Sequence, residues 1–341
     1  WLSESSDRFV FTRLETQAQI GNIPKYADMK IGRTFFAYGP KKYAAADVRE
    51  VYRGRFAAEG ELPYLVPEQE TARVVDCRSG DVFMTLDYTQ DENKPEVFIG
   101  EGVALNALRL QNTRDLQQIK DSAGKLKGSA QQSKCPNCGG PVRWVTGVAT
   151  HVVCEYCQSQ IEFNEDQVRV VATNDMRVAQ DEALTLKIGS KARIMAVDWW
   201  VIGAMKQSEV RGDEASQMAF SYNMPKVLVP AGEPWFEYLL YSPKDGFLWL
   251  TELAGGRWAI AKTLDVWPQL QQPLRPVDSN QHLVPELYDY GGQVQYAAGA
   301  FYWQVGPKDT TYYVDYGREK QKLSTALTRE EQSWSAISEI P

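Results

Sequence analysis

Apolar and aromatic residues alternate with polar residues in short runs along most of the chain. A period of two residues is typical of strands that bury one face, and the Gly, Pro, Asn and Asp residues between the runs indicate turns. The clearest runs are residues 34–38, 72–77, 82–88, 191–197, 199–204, 235–241, 247–251, 257–263 and 311–316. The pattern predicts a mainly β protein with antiparallel strands.

Helical periodicity is confined to two stretches of the sequence. Residues 113–123 place apolar side chains on one helical face, and Asn112 can cap their first turn. Thr328 and Glu331 have the spacing of a capping box, and Trp334 begins an apolar face behind them. A helix is predicted at each stretch. The Gly-, Ser-, Lys- and Gln-rich residues 124–134 predict a flexible linker.

Three segments of the first part of the chain recur in the same order in the second part. The sequence WLSE at 1–4 is echoed by WLTE at 249–252, residues 60–66 by residues 299–305, and residues 82–88 by residues 311–316. Echoes in one order predict a diverged duplication of a β-domain. Residues 184–248 precede the echo in the second copy, so the first copy is predicted to be N-terminally incomplete.

Four cysteines form two pairs, Cys135 with Cys138 and Cys154 with Cys157, and fifteen residues separate the pairs. This is the spacing of a structural zinc site, because each tight turn aims two thiolates at one ion. Two disulfides or four free thiols are the alternatives, and His151 is an alternative ligand. Four cysteine ligands leave no coordination position open, so the expected cofactor is a structural zinc ion.

Residues 142–145 and 151–153 read as two short strands that form the hairpin of a zinc ribbon. The predicted fold class is therefore mainly β, with two related small antiparallel β-barrel or sandwich domains flanking a four-cysteine zinc ribbon. The predicted parts are a first β-domain at 1–111, a helix and linker at 112–134, the ribbon at 135–163, a linker at 164–183, and a complete β-domain with a C-terminal helix at 184–341.

Composition narrows the classes of function. With 43% hydrophobic and 24% charged residues, the chain resembles an ordinary globular protein, and it has no apolar run long enough to span a bilayer. A net charge of −7 and the lack of a long basic run argue against nucleic-acid binding, since Arg143 and Trp144 of the ribbon offer only a small basic face. Cys77 has no partner cysteine, which favours a reducing compartment, the cytoplasm.

Candidate catalytic groups are few. The chain has two histidines, His151 in the ribbon and His282 in a polar loop, and it lacks the nucleophile-elbow, phosphate-loop and dinucleotide-binding motifs. Cys77 can be a nucleophile or a buried packing thiol, and the Asp-Tyr pairs at 87–88 and 315–316 can be acid–base groups or packing and turn residues. In each case packing or turn formation explains the residue without a catalytic role, so we expect a protein that is not an enzyme.

Several aromatic segments of the second copy resemble the bacterial family called domain of unknown function 4178. They are WWVIG at 199–203, WFEYLL at 235–240, GFLWL at 246–250, GAFYW at 299–303, DY at 315–316 and the tail at 323–335, and the first copy resembles the family at 1–2, 60–63 and 86–88. The resemblance implies tandem domains accompanied by a CxxC ribbon, and the family has no established activity. It also implies a polyamine-related or membrane-stress system, from the genes described near those of the family.

Tryptophans crowd the second copy, and two interpretations remain open for them. Small β-barrels use aromatic residues as core. A groove of aromatic faces and carboxylates would instead bind a peptide or a cation, including a polyamine. The residues of this candidate groove are Trp235, Glu237, Trp249, Glu252 and Trp303.

The favoured function is a non-enzymatic binding or scaffold protein that assembles with protein partners. A membrane-associated protein is one candidate partner. The alternative is an enzyme or accessory subunit that binds a polyamine or a peptide amide in the candidate groove.

Overall fold

The computed structural model of the chain describes most of its β-structure. The described residues are 1–5, 8–16, 22–54, 69–103, 107, 111, 130–145, 149, 151–164, 167–172, 184–212, 228–243, 245–271, 275–318, 321–328 and 331–340. Within them, no helix has the length and apolar character needed to cross a bilayer.

Strands dominate the described residues, where the helical turns are two short 3-10 helices, Tyr26–Asp28 and Ala254–Gly256. The prediction of a mainly β protein is confirmed. The strands are β1 (Leu2–Ser5), β2 (Arg8–Leu14), β3 (Phe35–Tyr38), β4 (Lys41–Gly54), β5 (Gln69–Ser79), β6 (Val82–Asp87), β7 (Glu96–Val103), β8 (Ala130–Lys134), β9 (Pro141–Val145), β10 (His151–Val153), β11 (Gln160–Asn164), β12 (Gln167–Ala172), β13 (Lys191–Ile194), β14 (Val197–Gly212), β15 (Leu228–Pro230), β16 (Trp235–Ser242), β17 (Gly246–Leu253), β18 (Arg257–Thr263), β19 (Leu270–Gln271), β20 (Arg275–Pro276), β21 (Glu286–Phe301), β22 (Thr310–Arg318), β23 (Gln321–Leu327) and β24 (Gln332–Ile340).

The chain forms two compact units that interleave along the sequence. The first unit comprises Trp1–Ala107, Leu264–Glu286 and Thr325–Trp334, and the second comprises Leu108–Thr263, Leu287–Ser324 and Ser335–Pro341. The units therefore differ from the continuous ranges expected from the sequence. Two strands also lie within the predicted linkers, since β8 ends at residue 134 and β12 begins at residue 167.

The first unit contains a seven-stranded antiparallel sheet with the order β1-β2-β7-β6-β5-β4-β3. Alternate residues of its strands form one apolar core, as a period of two requires. The buried core residues are Ile23, Met29, Phe36, Tyr43, Ala45, Val75, Cys77, Met84, Leu86, Tyr88 and Val97. Burial raises the pKa of the Cys77 thiol well above its usual value, so Cys77 is a protonated packing residue of this core.

Two later segments of the chain belong to the first unit through the contacts of Trp267. Its backbone N–H donates to the carbonyl oxygen of Gly80 at 2.9 Å, and its ring packs edge-on against Trp334, which is fully buried. The guanidinium of Arg78 lies 5.8 Å from the Trp267 ring and 3.4 Å from that of Phe83. These aromatic and cation–π contacts attach residues 264–286 and 325–334 to the first sheet.

Eight strands of the larger sheet close into an antiparallel barrel. Their order is β14-β16-β17-β18-β24-β23-β22-β21, and β21 pairs again with β14 to complete the ring. The run β17-β18-β24-β23-β22-β21 has the same connections as β1-β2-β7-β6-β5-β4 in the first sheet. In this correspondence β6 matches β23, whereas the sequence echo had matched residues 82–88 with β22.

The predicted C-terminal helix is wrong, because Gln332–Ile340 is the strand β24. The hydrogen bonds expected of a capping box form a tight turn instead. The N–H of Thr328 donates to the carbonyl of Glu331, and the N–H of Glu331 donates to the Thr328 hydroxyl. Gln332 and Trp334 are both buried, so the tail follows a period of two. The helix predicted at 113–123 and the echo at 60–66 lie outside the described residues.

A carboxyl group with a raised pKa lies at the β-bulge of β4. Asp47 pairs with Asp76 across β4 and β5, and Glu331 forms an isolated bridge with Asp47. Burial and the charges of Asp76 and Glu331 raise the pKa of Asp47 to about 6, although Arg49 donates a 2.8 Å hydrogen bond that opposes the shift.

Replacing this carboxyl should change how stability depends on pH. Since the folded protein holds the Asp47 proton more tightly than the unfolded chain, the stability from Asp47 is full below its ordinary pKa of 3.8 and is lost as pH rises through about 6. Asp47→Asn cannot ionise, so its free energy of unfolding relative to wild type should rise by about 1–3 kcal/mol between pH 4 and pH 7 in urea titrations.

The control is Asp91→Asn, because the backbone N–H of Asn93 lowers the pKa of the exposed Asp91. Its stability relative to wild type should change in the opposite direction, and by less. A difference between Asp47→Asn and wild type that does not vary with pH would contradict the account of Asp47.

Candidate metal centre and inner barrel cluster

Each cysteine pair lies in the turn of its own β-hairpin. Strand β8 pairs with β9 around Cys135 and Cys138, and β10 pairs with β11 around Cys154 and Cys157. The sequence prediction of a hairpin between residues 142–145 and 151–153 is wrong, since these strands are β9 and β10 and belong to different hairpins. The alternation of apolar residues located both strands, but it carries no information about their partners.

The two cysteine turns have the same backbone hydrogen bonds. The N–H of Cys135 donates to the carbonyl oxygen of Gly140, and the N–H of Gly139 donates to the carbonyl oxygen of Cys135. The N–H of Cys154 donates to Ser159 in the same way, and that of Gln158 donates to Cys154. Gly139 and Gln158 occupy the equivalent left-handed position, with φ of 76° and 56°. The second turn therefore places a glutamine where the first uses a glycine.

The four sulfur atoms converge on one point. Sγ of Cys135 lies 3.7 Å from that of Cys157, Sγ of Cys138 lies 3.7 Å from that of Cys154, and all four lie within 4.8 Å of one another. Thiolates about 2.3 Å from a tetrahedral zinc ion lie about 3.8 Å apart. The donor set and its spacing thus fit a metal ion held by four cysteines, and none of these cysteines forms a disulfide.

Neighbouring polar groups favour the thiolate form at Cys157. Burial opposes its ionisation, but Ser159 and Asn137 form hydrogen bonds with its sulfur and lower the pKa of Cys157 to about 6. Burial instead raises the pKa of Cys154. A bound cation would favour the deprotonated form of both. His151 is not part of the four-cysteine group, and burial lowers its pKa.

The ribbon is joined to the barrel by backbone pairing. Residues His151–Val153 of β10 pair with residues 299–301 of β21, so the ribbon extends the barrel wall. Val152 and Ile161 of the ribbon pack in one buried cluster with Leu239 and Phe301 of the barrel. The ribbon and the barrel therefore share a core within the second unit, and this core includes Cys135 and Cys154.

The five residues of the candidate groove do not meet at one place. Trp235 Nε1 donates to Glu237 Oε1 at 3.0 Å, and the rings of Trp249 and Trp303 pack 5.5 Å apart. Glu252 pairs with Phe236 across β16 and β17, which places it on the opposite face from Glu237. There it accepts hydrogen bonds from the hydroxyls of Thr185 and Tyr238.

The structure adds residues to the Trp235–Glu237 pair that sequence reasoning missed. Gln207 of β14 donates from Nε2 to Glu237 Oε2 at 2.6 Å and contacts the Tyr313 hydroxyl at 3.4 Å. Tyr290 of β21 stacks on Tyr313 at 5.1 Å and meets the Trp235 ring at 5.9 Å. The sequence carries one signal for them. Gln207 and Tyr290 are residues with polar groups inside the largely apolar strands β14 and β21.

These side chains lie on the inner face of the barrel. Gln207 pairs with Trp235 on one side and with Val294 on the other, so β14, β16 and β21 present them on one face. Contacts from Gln207 to Tyr313 and from Trp235 to Tyr290 skip the strand between them. Side chains converge in this way on the concave side of a curved sheet. We call Gln207, Trp235, Glu237, Tyr290, Tyr313 and Asp315 the inner barrel cluster.

The cluster is crowded and acidic. Burial raises the pKa of Glu237, although hydrogen bonds from Trp235 and Gln207 oppose the rise, and it also raises the pKa of Asp315. Burial and the nearby acidic groups raise the pKa of Tyr290 well above its usual value. Parts of Glu237, Tyr290 and Asp315 nevertheless remain accessible to solvent. The arrangement can attract a cation, and its phenols remain protonated at neutral pH.

Removing one thiol should release the metal. We expect Cys138→Ser to lose most of its metal, measured by mass spectrometry of the purified chain, and to lose protease resistance around residues 130–164, since metal binding and ribbon folding are coupled. Cys77→Ala is the control, because Cys77 lies in the first core, and it should keep its metal. Retention of both metal and protease resistance by Cys138→Ser would contradict the assignment.

Gly292→Ala tests the packing of the inner barrel cluster. A Cβ at Gly292 would lie 2.2 Å from Gln207 Oε1 and 2.9 Å from the Trp235 ring, so we expect a loss of about 1–3 kcal/mol in stability and altered tryptophan fluorescence. At Gly102 the nearest atom is 3.6 Å away, and Gly102→Ala should be close to wild type. Equal effects of the two variants in chemical unfolding would be inconsistent with the described packing.

Comparison with known proteins matches one segment of the chain to a family model. Residues 187–339 match the model of the family described as Domain of unknown function (DUF4178). No curated protein and no solved structure matches the chain. The matched range runs from ahead of β13 to residue 339 in β24, so the expected resemblance is confirmed for the segment that builds the barrel.

Proposed function

We propose that the protein is a non-enzymatic binding protein in which a structural zinc ion holds the two cysteine hairpins of the ribbon together. The observation that supports this proposal is the spacing of the four sulfur atoms, all within 4.8 Å of one another. Zinc is the ion proposed, because thiolates suit it and four of them complete a tetrahedral shell. A completed shell has no open position for substrate, so the ion would hold structure and would not catalyse.

We also propose that the two β-domains are related copies. The shared order of six strands supports this proposal, together with the echo of WLSE in β1 by WLTE in β17. Two β-domains of one topology would each present a surface to partners. The placement of the other candidate groups also supports a binding role, since Cys77 is fully buried in a core and His282 is exposed in a loop.

The proposed partners are proteins, and the proposed compartment is the reducing cytoplasm. Five cysteines without a disulfide support a reducing environment. The resemblance to the family implies a polyamine-related or membrane-stress system, so a membrane-associated protein is one expected partner. Nucleic acid is not an expected partner, since the net charge is −7.

Affinity purification of the full chain from its native host tests the scaffold proposal. We expect one protein in near-equal amount with the wild type and with Cys77→Ala, and its loss with Cys138→Ser, because the unfolded ribbon would no longer support the assembly. Recovery of the same partner by metal-free Cys138→Ser would contradict a role for the ribbon. Recovery of no stoichiometric partner by the wild type would contradict the scaffold function itself.

A second candidate function is an enzyme or accessory subunit that acts on a polyamine or a peptide amide. The hydrogen bond between Trp235 and Glu237 on the inner face supports this candidate, because both residues belong to the candidate groove predicted from the sequence. Incubation of the wild type and of Glu237→Gln with spermidine or with an amidated peptide, followed by mass spectrometry, tests for turnover. A product formed by the wild type and absent with Glu237→Gln would support this candidate, and no product with either would remove it.

A further inference from the structure

We propose that the inner barrel cluster is a binding site for a primary ammonium group. The site consists of the Glu237 carboxylate, the Gln207 amide oxygen and the Asp315 carboxylate, with the rings of Trp235, Tyr290 and Tyr313 around them. This proposal extends the second candidate function to a class of ligand. It does not depend on the metal ion or on a protein partner.

The Gln207 amide is held in one orientation by its neighbours. Its Nε2 donates to Glu237 at 2.6 Å and points toward the Tyr313 hydroxyl at 3.4 Å. Gln207 is 2% exposed, and its Oε1 has no hydrogen-bond partner within the described part of the chain. A buried carbonyl oxygen without a donor is unfavourable, so a ligand that donates a hydrogen bond to it is favoured.

Acceptors outnumber donors in the cluster. Glu237 accepts from Gln207 and Trp235 and still has free lone pairs, as does Asp315, which accepts from the Ser324 hydroxyl at 2.6 Å. The charges of Asp315, Glu237 and Glu209 all raise the pKa of Tyr290, so three carboxylates lie near this residue. A ligand that balances these groups must carry positive charge and N–H donors.

The cationic side chains near the cluster interact with groups outside its centre. Arg211 donates to Glu209 at 3.0 Å, and its guanidinium lies 4.2 Å from the Tyr288 ring. Lys322 lowers the pKa of Asp315, and Glu237 has no salt bridge among the described residues. The carboxylate at the centre of the cluster therefore has hydrogen-bond donors around it but no counter-ion among the described residues.

The aromatic walls suit an organic cation. Tyr290 stacks on Tyr313 with an interplanar angle of 23°, and Trp235 meets Tyr290 edge-on at 77°. An ammonium group against these faces gains a cation–π attraction in addition to its hydrogen bonds. A metal ion is less suitable, since the cysteines form the one described group of three or more close metal-ligating side chains.

A primary ammonium fits better than a quaternary one, because only the primary group can donate to Gln207 Oε1. A quaternary ammonium satisfies the carboxylates and the rings and leaves that oxygen without a partner. The Gln207 amide also occupies the space beside Gly292, where a Cβ would lie 2.2 Å from Oε1. The absence of a side chain at Gly292 thus leaves space for the Gln207 amide, whose oxygen favours a primary ammonium over a quaternary one.

The test is a titration of the full chain, followed by tryptophan fluorescence and by NMR of the ligand. The probes are butylammonium, its N-trimethylated analogue, and N-acetyl-lysine methylamide, which presents the same ammonium on a peptide-like backbone. We expect butylammonium to bind at least tenfold more tightly than the trimethylated analogue. Tighter binding of the lysine amide would identify a peptide as the source of the ammonium, and tighter binding of butylammonium would identify a free amine.

Matched variants locate the site. Glu237→Gln keeps the shape of the side chain and removes its charge, so it should weaken butylammonium binding at least tenfold, and Asp315→Asn should weaken it by a smaller factor. Asp289→Asn is the control, because Asp289 neighbours Tyr290 on β21 and points to the opposite face. It should bind as the wild type does. Unchanged metal content in each variant shows that the ribbon remains folded.

Three outcomes would overturn the proposal. They are no binding of either ammonium probe, equal or tighter binding of the trimethylated analogue, and binding that survives both Glu237→Gln and Asp315→Asn. If Glu237→Gln does not fold, the Asp315→Asn result decides the location. A wild-type chain that keeps its metal and binds no ammonium would contradict this inference and leave the zinc proposal intact.

Discussion

Closure of the barrel depends on the close approach of β14 and β21. The two strands pair from Gly203 to Val210 of β14, and glycines stand at the tightest point. A Cβ at Gly299 would lie 2.4 Å from the carbonyl oxygen of Ile202, and one at Gly203 would lie 2.7 Å from that of Ala300. Gly299 also has a φ of 88°, which other residues rarely adopt. Without this approach the eight strands would remain an open sheet with two unpaired edges.

Strand β21 connects this closure to both candidate sites. Its middle residues pair with β14, which brings Tyr290 to the same inner face as Gln207 and Glu237. Its last residues, 299–301, pair with β10 and so attach the four-cysteine ribbon to the wall. A single strand therefore positions a carboxylate cluster inside the barrel and a four-thiol centre beside it.

The sequence predicts features that depend on neighbouring residues, such as the cysteine turns and single strands. It does not predict which distant strands pair with one another. The four cysteines converge as their spacing predicted, because each pair is fixed by a short turn. The strand predicted at residues 257–263 is β18 residue for residue. The ribbon hairpin was wrong because alternation identifies strands but does not say that β9 pairs with β8 and β10 with β21.

The remaining differences have physical causes of the same kind. Thr328 and Glu331 satisfy the hydrogen bonds of a turn as well as those of a helix cap, and the pairing of β24 with β18 decided between them. The sequence predicts one groove for Glu237 and Glu252, because both are acidic residues among tryptophans. Register separates them, since Glu237 pairs with Thr251 and Glu252 with Phe236. Barrel closure brings Gln207, Tyr290 and Tyr313 close to Glu237, and the sequence alone does not predict this closure.

The most direct test of the central claim, a four-cysteine metal clip on the ribbon, is X-ray absorption spectroscopy of the purified full chain at the zinc edge. The account predicts a shell of four sulfur atoms at about 2.3 Å and no nitrogen or oxygen ligand. A shell that contains nitrogen or oxygen, or a chain without zinc whose cysteines form disulfides, would contradict the account.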